Sequence, residues 1–325
     1  MDNKYYLGID VGGTKCAVIA SRDDMKFLDK IVFPTETHKG PGHAIDLLLK
    51  NASLITDKFG LQGLQSIGIS CGGPLDSKKG LVQSPPNLPG WDNIPIVQLF
   101  NDAFHVPAFL QNDANACALA EWKFGAGRGV DNMIFLTFGT GMGAGIIIDG
   151  RLYSGTNDLA GEVGHIRLAD EGPEAYGKKG SFEGFCSGTG IAIIAKNIIS
   201  EKLSKGEAVS FCSDINDAGR ITTKDLAQAA ATGDNTALEI FEISGRYLGK
   251  GLAILIDILN PQLIVIGSIY ARCTEFIAPS CMKVIEQEAL VPSRSVCRIV
   301  PAALGEQVGD YASLSVAMVQ KISKT

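Results

Sequence analysis

The first half of the chain contains short apolar runs. They are separated by glycine turns or by stretches in which apolar residues recur at helical spacing. Predicted strands cover residues 5–10, 15–20, 64–70, 107–111, 133–138 and 144–148. Apolar residues recur at helical spacing across 44–59, and a helix over 114–124 follows strand 107–111. Strands that alternate with helices predict an α/β fold.

A strand, a glycine turn and a second strand form a unit at 5–20 that recurs at 133–148. The recurrence indicates an internal duplication of one α/β unit, and chance is the alternative because glycine hairpins are common. Two glycine turns from the two halves are suited to hold one polyphosphate between them.

The second half is mainly helical after an irregular segment, 155–187. Loops longer than about 12–15 residues are usually functional or disordered. The elements predicted after it are helices 191–204, 223–231, 235–259, 276–290 and 311–322, with strands 263–266 and 296–300. No low-complexity linker interrupts the 325 residues, so we expect two closely packed domains at about 150 residues each.

Composition and charge exclude several classes of protein. The chain is 46% hydrophobic and carries a net charge of −6, so it is globular, and general nucleic-acid binding is disfavoured. No apolar run reaches the roughly 18 residues of a membrane helix, and no basic and apolar secretion signal precedes the first strand. The eight cysteines form no CxxC pair and indicate reduced, mostly buried thiols in a cytoplasmic protein.

The turn after the first strand, Asp10-Val-Gly12-Gly13-Thr14-Lys15, suits phosphate binding. Glycine lets backbone N–H groups approach phosphate oxygens, and the hydroxyl and the ammonium add donors. A carboxylate at the end of a strand also suits Mg²⁺, usually through water. The structural alternative is a plain hairpin.

The second glycine cluster, at 137–145, is another candidate phosphate cradle. It is not a Walker sequence, because no Gly-Lys-Ser/Thr follows it. It is also a poor dinucleotide fingerprint, because a strand rather than a helix is predicted after it.

Two polar clusters are candidates for catalysis and sugar binding. Asn112 and Asp113 lie between a strand and a helix, where they fit either a helix cap or a general base aimed at a hydroxyl. Glu162, His165 and Glu183 in the irregular segment offer acceptors and donors for sugar hydroxyls, and a lone His is alternatively an ordinary loop residue.

Seven motifs in one order over nearly the whole chain resemble the ROK family of bacterial sugar kinases and related repressors. They are DVGGTK at 10–15, CGGP at 71–74, PNLPGW at 86–91, NDAN at 112–115, GTGMG at 139–143, AGEVGH at 160–165, and NP at 260–261 with IVIG at 264–267.

The resemblance implies an actin-like, ribonuclease-H-like fold with two α/β domains and a cleft between them, 1–112 with about 305–325 and 113–304. It implies ATP- and Mg²⁺-dependent phosphorylation of a hexose hydroxyl, with the 6-hydroxyl of glucose as the first expectation. It also implies a cytoplasmic dimer or tetramer. By position, Asp113 is the catalytic base. The implied sugar contacts are Gly72, Gly73, Asn87, Asn112, Asp113, Glu162, His165 and Glu183. The implied nucleotide contacts are Asp10, Gly12, Gly13, Thr14, Lys15, Thr137, Gly139, Thr140, Gly141 and, near the adenosine, Gly267, with Asp10 holding Mg²⁺ through water.

The chain departs from the family at the zinc loop that usually follows Gly-His. The three cysteine positions are occupied by Glu174, Tyr176 and Ser181, while Gly177, Gly180 and Glu183 are kept. Hydroxyl groups are poor zinc ligands at neutral pH, so we expect no zinc. His165 then needs another orienting partner, either Glu174 or Tyr176 or a backbone carbonyl.

Two classes of function remain open. Kinases of this family act on glucose, N-acetylmannosamine, N-acetylglucosamine, fructose or allose, and the sequence does not choose among them. A sugar-sensing regulator is the alternative, although a DNA-binding module of roughly 60–80 residues is expected ahead of the first strand in a repressor. The acidic charge and the retained Asp113 favour an enzyme that binds neither nucleic acid nor membrane.

Overall fold

The structure is a computed structural model and describes residues 4–319. Its strands are β1 (Tyr5–Val11), β2 (Lys15–Ser21), β3 (Phe27–Pro34), β4 (Leu64–Cys71), β5 (Leu75–Asp76), β6 (Leu81–Val82), β7 (Ala108–Asn112), β8 (Met133–Phe138), β9 (Met142–Ile148), β10 (Arg151–Tyr153), β11 (Glu174–Ala175), β12 (Lys178–Lys179), β13 (Leu263–Ile266) and β14 (Arg298–Pro301). Its helices are α1 (Gly40–Phe59), α2 (Ile96–Phe104), α3 (Asp113–Phe124), α4 (Phe182–Phe185), α5 (Gly188–Ser204), α6 (Thr223–Ala231), α7 (Asn235–Leu259), α8 (Ile269–Glu288), α9 (Val291–Val296) and α10 (Val308–Val319).

The described chain divides into two compact units. Unit 1 comprises residues 4–129, 145–160 and 306–319, and unit 2 comprises 130–144 and 161–305. The division drawn from the sequence sets its first boundary at 112/113, whereas unit 1 includes α3 and continues to Gly129. The last segment joins unit 1 from Glu306, and residues 320–325 lie outside the described residues.

Unit 1 is built on a five-stranded sheet in the order β3-β2-β1-β4-β7. β1 is antiparallel to β2 and parallel to β4, and β4 is parallel to β7. Apolar residues of α1 and α2, such as Leu48 and Phe100, pack with Leu7 and Ile9 in one core. Leu314 of α10 packs with Ile19 in a second cluster. Val18 belongs to the first cluster and Ile19 to the second, and successive side chains of a strand point to opposite faces, so the two clusters bury opposite faces of the sheet at β2.

Helix α10 lies unusually close to the sheet. A Cβ atom on Gly68 would overlap the carbonyl oxygen of Ser313, so only glycine fits there. The Ser66 hydroxyl donates to the carbonyl of Ala317 over 2.8 Å. This approach fixes the start of α10, and with it Asp310, beside β1.

The second sheet has the order β10-β9-β8-β13-β14. β13 is parallel to both β8 and β14. In unit 2, Ile264 and Ile266 of β13 share a buried core with Phe241 and Leu252 of the long helix α7 and Ile277 of α8. The observed bounds of β8, β13, α6 and α7 are those predicted from the sequence.

Several elements differ from the sequence-based prediction. β3 and α2 were not predicted, and α8 begins at Ile269 rather than at 276. The predicted strand 296–300 is β14 (Arg298–Pro301), and the residues before it form α9. The predicted helix 311–322 is α10, whose bounds are Val308–Val319, and residues 320–322 lie outside the described residues.

The segment 155–187, predicted as one irregular loop, contains regular structure. It includes a 3₁₀ helix at Val163–His165, the β11–β12 hairpin and the short helix α4. The eight cysteines are all free, and only Cys117 and Cys297 are less than fully buried. Among residues 4–319, no helix is both long enough and apolar enough to cross a bilayer.

Candidate active site

The carboxyl ends of β1, β4 and β7 meet at one edge of the unit 1 sheet. Val11 is paired with Cys71, and Cys71 is paired with Asn112. The residues that follow each strand therefore lie side by side, which is where open α/β sheets bind ligands. Gly12, a predicted nucleotide contact, Gly72, a predicted sugar contact, and Asp113, the predicted base, are brought together there.

Asp10 is the penultimate residue of β1, and the carboxylates of Asp113 and Asp310 act on its carboxyl. The pKa of its carboxyl is raised to about 6, first by burial and then by the charges of Asp113 and Asp310. Lys15 and Lys30 oppose the shift without cancelling it. The charges of two other carboxylates therefore act on Asp10, and a bound cation would relieve this repulsion.

Asp113 is the first residue of α3 and keeps an accessible surface. Desolvation by the surrounding protein raises the pKa of this carboxyl, and the hydrogen bond from the Ala114 N–H opposes the shift. Ala114 donates its N–H to Asp113 Oδ1 over 2.7 Å and to Asn112 Oδ1 over 2.9 Å. Asn112 is thus the helix cap, which leaves the other Asp113 oxygen available for chemistry.

The β1–β2 turn is held in a defined shape. Gly12 donates its N–H to the carbonyl of Lys15 over 3.2 Å, and the buried Thr35 hydroxyl donates to the carbonyl of Gly12 over 2.6 Å. Thr35 also donates its N–H to the carbonyl of Thr14 over 3.0 Å. The side chains of Thr14 and Lys15 are exposed, so they are accessible to a ligand.

The loop that carries Asn87 packs directly on this turn. A Cβ atom on Gly13 would lie 2.6 Å from the Asn87 carbonyl oxygen, and one on Gly72 would lie 3.3 Å from Asn87 Oδ1. A Cβ atom on Gly73 would lie 3.1 Å from Asn112 Nδ2. Both asparagines therefore border the Gly72–Gly73 backbone.

In unit 2, hydrogen bonds within the β8–β9 turn and from the first residues of α5 hold the turn in place. Gly143 donates its N–H to Thr137 Oγ1 over 2.8 Å, and Gly188 donates its N–H to the carbonyl of Gly139 over 2.7 Å. The Thr189 hydroxyl donates to the carbonyl of Thr140 over 3.0 Å. These bonds fix the path of the turn, and Thr140 remains exposed.

Gly267 follows β13 and lies next to the same turn. Its N–H donates to the carbonyl of Leu136 over 2.9 Å. The next residue, Ser268, has a positive φ of 53°, and a Cβ atom on Gly139 would lie 3.8 Å from its Oγ. Of the predicted nucleotide contacts in unit 2, Gly139 and Gly267 are therefore neighbours.

Glu183 lies in the segment 155–187, which was predicted to be irregular, and forms a hydrogen bond to the β8–β9 turn. It lies in the first turn of α4, and its Oε2 accepts the Met142 N–H over 2.8 Å. A Cβ atom on Gly141 would also lie 2.8 Å from that oxygen. The carboxylate thus holds the glycine turn, a role that the sequence did not predict.

Glu162 and His165 lie at the two ends of the short 3₁₀ helix, and both are exposed. Within residues 4–319, the hydrogen bonds of His165 use its backbone: its N–H donates to Glu162, and its carbonyl accepts from Lys178 Nζ over 2.5 Å. The expected bond from the imidazole to Glu174 or Tyr176 is not formed.

The three positions of the family's zinc-loop cysteines have other roles. Glu174 begins the β11–β12 hairpin, and Tyr176 occupies its turn with 76% of its surface exposed. Ser181 caps α4 by accepting the N–H of Gly184 over 3.1 Å. The pairing of β11 with β12 and the Ser181 cap of α4 shape this segment.

Sequence reasoning missed residues that support the site from distant positions. Asp310 acts on the charge of Asp10, and Lys30 forms an ion pair with Asp310 over 2.6 Å. Thr35 fixes the β1–β2 turn. No local sequence pattern marked these residues, and Asp310 lies 300 positions from Asp10 along the chain.

No group of three His, Cys, Asp or Glu side chains within residues 4–319 is arranged as a set of metal ligands. The buried negative charge around Asp10 nevertheless fits a hydrated Mg²⁺, which keeps several waters and needs one or two carboxylates. Asp10 is the residue best placed to hold such an ion.

Comparison with known proteins decides the family. The model of the ROK family matches residues 6–317. The chain belongs to the ROK family. It is 32% identical to the glucokinase of Halalkalibacterium halodurans over 95% of this chain and 93% of that protein.

Solved ROK structures share the fold. A ROK glucokinase from Streptomyces griseus in complex with glucose and AMPPNP superposes with a TM-score of 0.76 at 26% identity, covering 96% of this chain and 99% of that one. A ROK transcriptional regulator homologous to the Escherichia coli MLC protein gives a TM-score of 0.84 at 25% identity, covering 97% and 77%. The actin-like α/β fold expected of a ROK protein is confirmed.

Proposed function

We propose that the protein is an ATP-dependent sugar kinase that phosphorylates a hexose hydroxyl, with the 6-hydroxyl of glucose the favoured acceptor. The observation that carries the proposal is Asp113, a partly desolvated carboxylate at the carboxyl end of β7, beside Asp10 and Asn112. The similarity to glucokinases over more than nine-tenths of both chains supports the same reading.

Asp113 would act as the general base. Its deprotonated carboxylate accepts the proton of the sugar hydroxyl as the hydroxyl oxygen bonds to the γ-phosphorus of ATP. The bond between that phosphorus and the bridging oxygen breaks, and ADP leaves with the electron pair. Phosphoryl transfer of this kind depends on positioning and charge neutralisation more than on covalent chemistry by the protein.

The nucleotide would be bound by the two glycine turns. Gly12, Gly13, Thr14 and Lys15 supply N–H, hydroxyl and ammonium donors in unit 1. The corresponding contacts in unit 2 are Thr137, Gly139, Thr140, Gly141 and Gly267. Asp10 would hold Mg²⁺ through water, and the ion supplies neutralisation of the phosphate charge.

The proposed sugar contacts in unit 1 are the Gly72–Gly73 backbone, Asn87, Asn112 and Asp113. Those in unit 2 are Glu162, His165 and Glu183. Amide and carboxylate groups at fixed positions suit a polyhydroxylated ring, because a site built to bond each hydroxyl discriminates against analogues that lack it. N-acetylmannosamine, N-acetylglucosamine and fructose are the alternative acceptors.

A sugar-sensing regulator is the second candidate, and the similarity to a ROK transcriptional regulator favours it. The two functions differ in turnover rather than in sugar binding. A regulator needs no base, so the presence of Asp113 at the carboxyl end of β7 supports the kinase.

The test is ADP release measured with ATP, Mg²⁺ and a panel of glucose, mannose, fructose, N-acetylmannosamine and N-acetylglucosamine. Sugar affinity is measured in parallel by calorimetry. We expect one sugar, glucose first, to stimulate ADP release stoichiometrically with formation of the sugar phosphate. A sugar that binds without stimulating any ADP release would instead indicate the regulator.

A further inference from the structure

A cavity of about 780 Å³ in unit 1 lies apart from the residues described above. It is bordered by β7, by α3, by the turn after β5 and by residues around β10. Asp10, Asn87 and Asp113 do not line it. Its volume is in the range of pockets that bind small molecules.

The described lining of this cavity is basic. Lys78, Lys79, Lys123 and Arg151 line it, and none of its described lining residues is Asp or Glu. Lys79 is paired with Asp76 over 2.9 Å. The other three cations have no carboxylate partner within residues 4–319, although the chain carries a net charge of −6. Clustered cations in a concave surface attract anions.

A buried amide also lines the cavity with an unused donor. Gln111 is 3% exposed, and its Oε1 accepts the Asn112 N–H and Asn115 Nδ2, each over 3.1 Å. Those two bonds fix which end of the amide is the oxygen, so the NH₂ group is left without a partner in the described structure. A donor at the wall of a cavity is available to a ligand oxygen.

An aromatic ring completes the lining. Trp122 borders the cavity, and Lys123 Nζ lies 3.9 Å from the centroid of its ring. An indole face binds the apolar face of a sugar or a base, while cations beside it bind a phosphoryl group. The combination of both features indicates a ligand with a ring and a phosphate.

We propose that this cavity binds a small phosphorylated ring compound, a sugar phosphate or a nucleoside monophosphate. Lys78, Lys123 and Arg151 contact its phosphoryl group, Gln111 donates to one of its oxygens, and its ring packs on Trp122. The ligand site is separate from the catalytic edge, so binding there does not require turnover.

Tryptophan fluorescence tests the proposal directly. The chain has two tryptophans, and Trp91 is 1% exposed in the core, so a ligand in the cavity changes the emission of Trp122. The protein is first saturated with glucose and a non-hydrolysable ATP analogue, so that the catalytic edge is occupied. Glucose 6-phosphate, AMP and inorganic phosphate are then titrated separately.

We expect a saturable change with glucose 6-phosphate or AMP that is absent in Trp122→Phe, and calorimetry on that variant still detects binding. The double variant Lys123→Ala, Arg151→Ala is expected to weaken the affinity at least about tenfold, because charge-assisted hydrogen bonds are lost. The matched double variant Arg220→Ala, Lys224→Ala removes the same charge at exposed positions and should leave it unchanged.

Three results would overturn the proposal. One is the absence of saturable binding by all three probes in calorimetry. Another is equal affinity in the Lys123/Arg151 double variant and in wild type. The third is binding of inorganic phosphate as tight as that of glucose 6-phosphate and AMP, which would leave no role for a ring. None of these readouts depends on kinase turnover, and the Lys123/Arg151 double variant assigns binding to this cavity whether or not the catalytic edge binds glucose and ATP.

Discussion

The charge of Asp113, at the carboxyl end of β7, raises the pKa of Asp10, at the carboxyl end of β1. The two residues are 103 positions apart in the sequence, and the parallel pairing of β1 with β4 and of β4 with β7 brings them to one edge. Burial and Asp310 act in the same direction, and the pKa of Asp10 is raised to about 6. Such perturbed groups concentrate at functional sites.

Asp10→Asn is expected to stabilise the protein at pH 7 and to abolish most activity. A carboxyl whose pKa is raised on folding binds its proton more tightly in the native state. Its ionised form therefore costs stability above pH about 6, and this cost disappears below pH about 4. The free energy of unfolding should rise by about 1–3 kcal/mol at pH 7 and be unchanged near pH 4, as measured by urea denaturation.

Asp46→Asn is the control for this experiment, because Asp46 is exposed on α1. It should change neither the stability at pH 7 nor the activity. A fall in stability of Asp10→Asn at pH 7 would mean that the charge of Asp10 is stabilised in the native state, contrary to the account.

Gly13→Ala should disturb the contact between the β1–β2 turn and the Asn87 loop. The added Cβ would lie 2.6 Å from the backbone oxygen of Asn87, so the loop has to move. Overpacking of this kind costs about 1–3 kcal/mol, and we expect the KM for the sugar to rise about tenfold. Gly42→Ala on α1, where a Cβ meets open space, should leave the KM as in wild type.

Two substitutions of Glu183 should separate the contribution of its hydrogen bond to stability from the contribution of its charge. Glu183→Ala removes the acceptor of the Met142 N–H and is expected to lower stability by about 1–3 kcal/mol. Glu183→Gln keeps an oxygen acceptor and should lose less than about 1 kcal/mol, as thermal unfolding would show. Equal losses in the two variants would assign the stabilisation to charge instead.

Purified protein is expected to contain no stoichiometric zinc. Glu174, Tyr176 and Ser181 stand at the cysteine positions, and hydroxyl groups bind zinc poorly at neutral pH. Elemental analysis after dialysis against a chelator is the measurement. One equivalent of retained zinc per chain would disprove the expectation.

Lys178 is expected to position His165 in the absence of a metal. Its ammonium donates to the His165 carbonyl over 2.5 Å and joins the β12 strand to the 3₁₀ helix. Lys178→Ala should raise the KM for the sugar severalfold with little change in kcat, and Lys178→Arg should restore part of the loss. The exposed Lys224→Ala is the control. An unchanged KM for the sugar in Lys178→Ala would show that Lys178 does not position His165.

Hydrophobic periodicity predicted the elements whose own sequence decides them. The helix α7 and the strands β8 and β13 have their predicted bounds because long amphipathic or fully apolar runs are unambiguous. β3 is an edge strand with exposed charges such as Lys30, and α2 is a nine-residue helix that begins after a proline. The formation of β3 depends on the sheet it joins, which the local pattern does not contain. In α2, apolar residues at helical spacing, Ile96, Phe100 and Phe104, are a local signal that the prediction missed.

The residues of the candidate site also divide into those that carry a local sequence signal and those that do not. Asp10, Asp113 and the glycine turns carry local signals, namely a carboxylate or a glycine at the end of an apolar run. Asp310, Thr35 and Lys178 act through contacts that only the folded chain creates. The sequence offered no such signal for them, since a lone Thr or Lys is common in any loop.

The role of Asp113 as general base is the central claim, and the turnover of Asp113→Asn tests it most directly. ADP release by wild type, Asp113→Asn and the exposed control Asp102→Asn should be compared at saturating sugar and ATP. A general base typically contributes about 10²–10⁴-fold, so we predict a loss of that size in kcat for Asp113→Asn, with sugar affinity within about threefold of wild type. A variant that binds the sugar and retains the wild-type kcat would contradict the account.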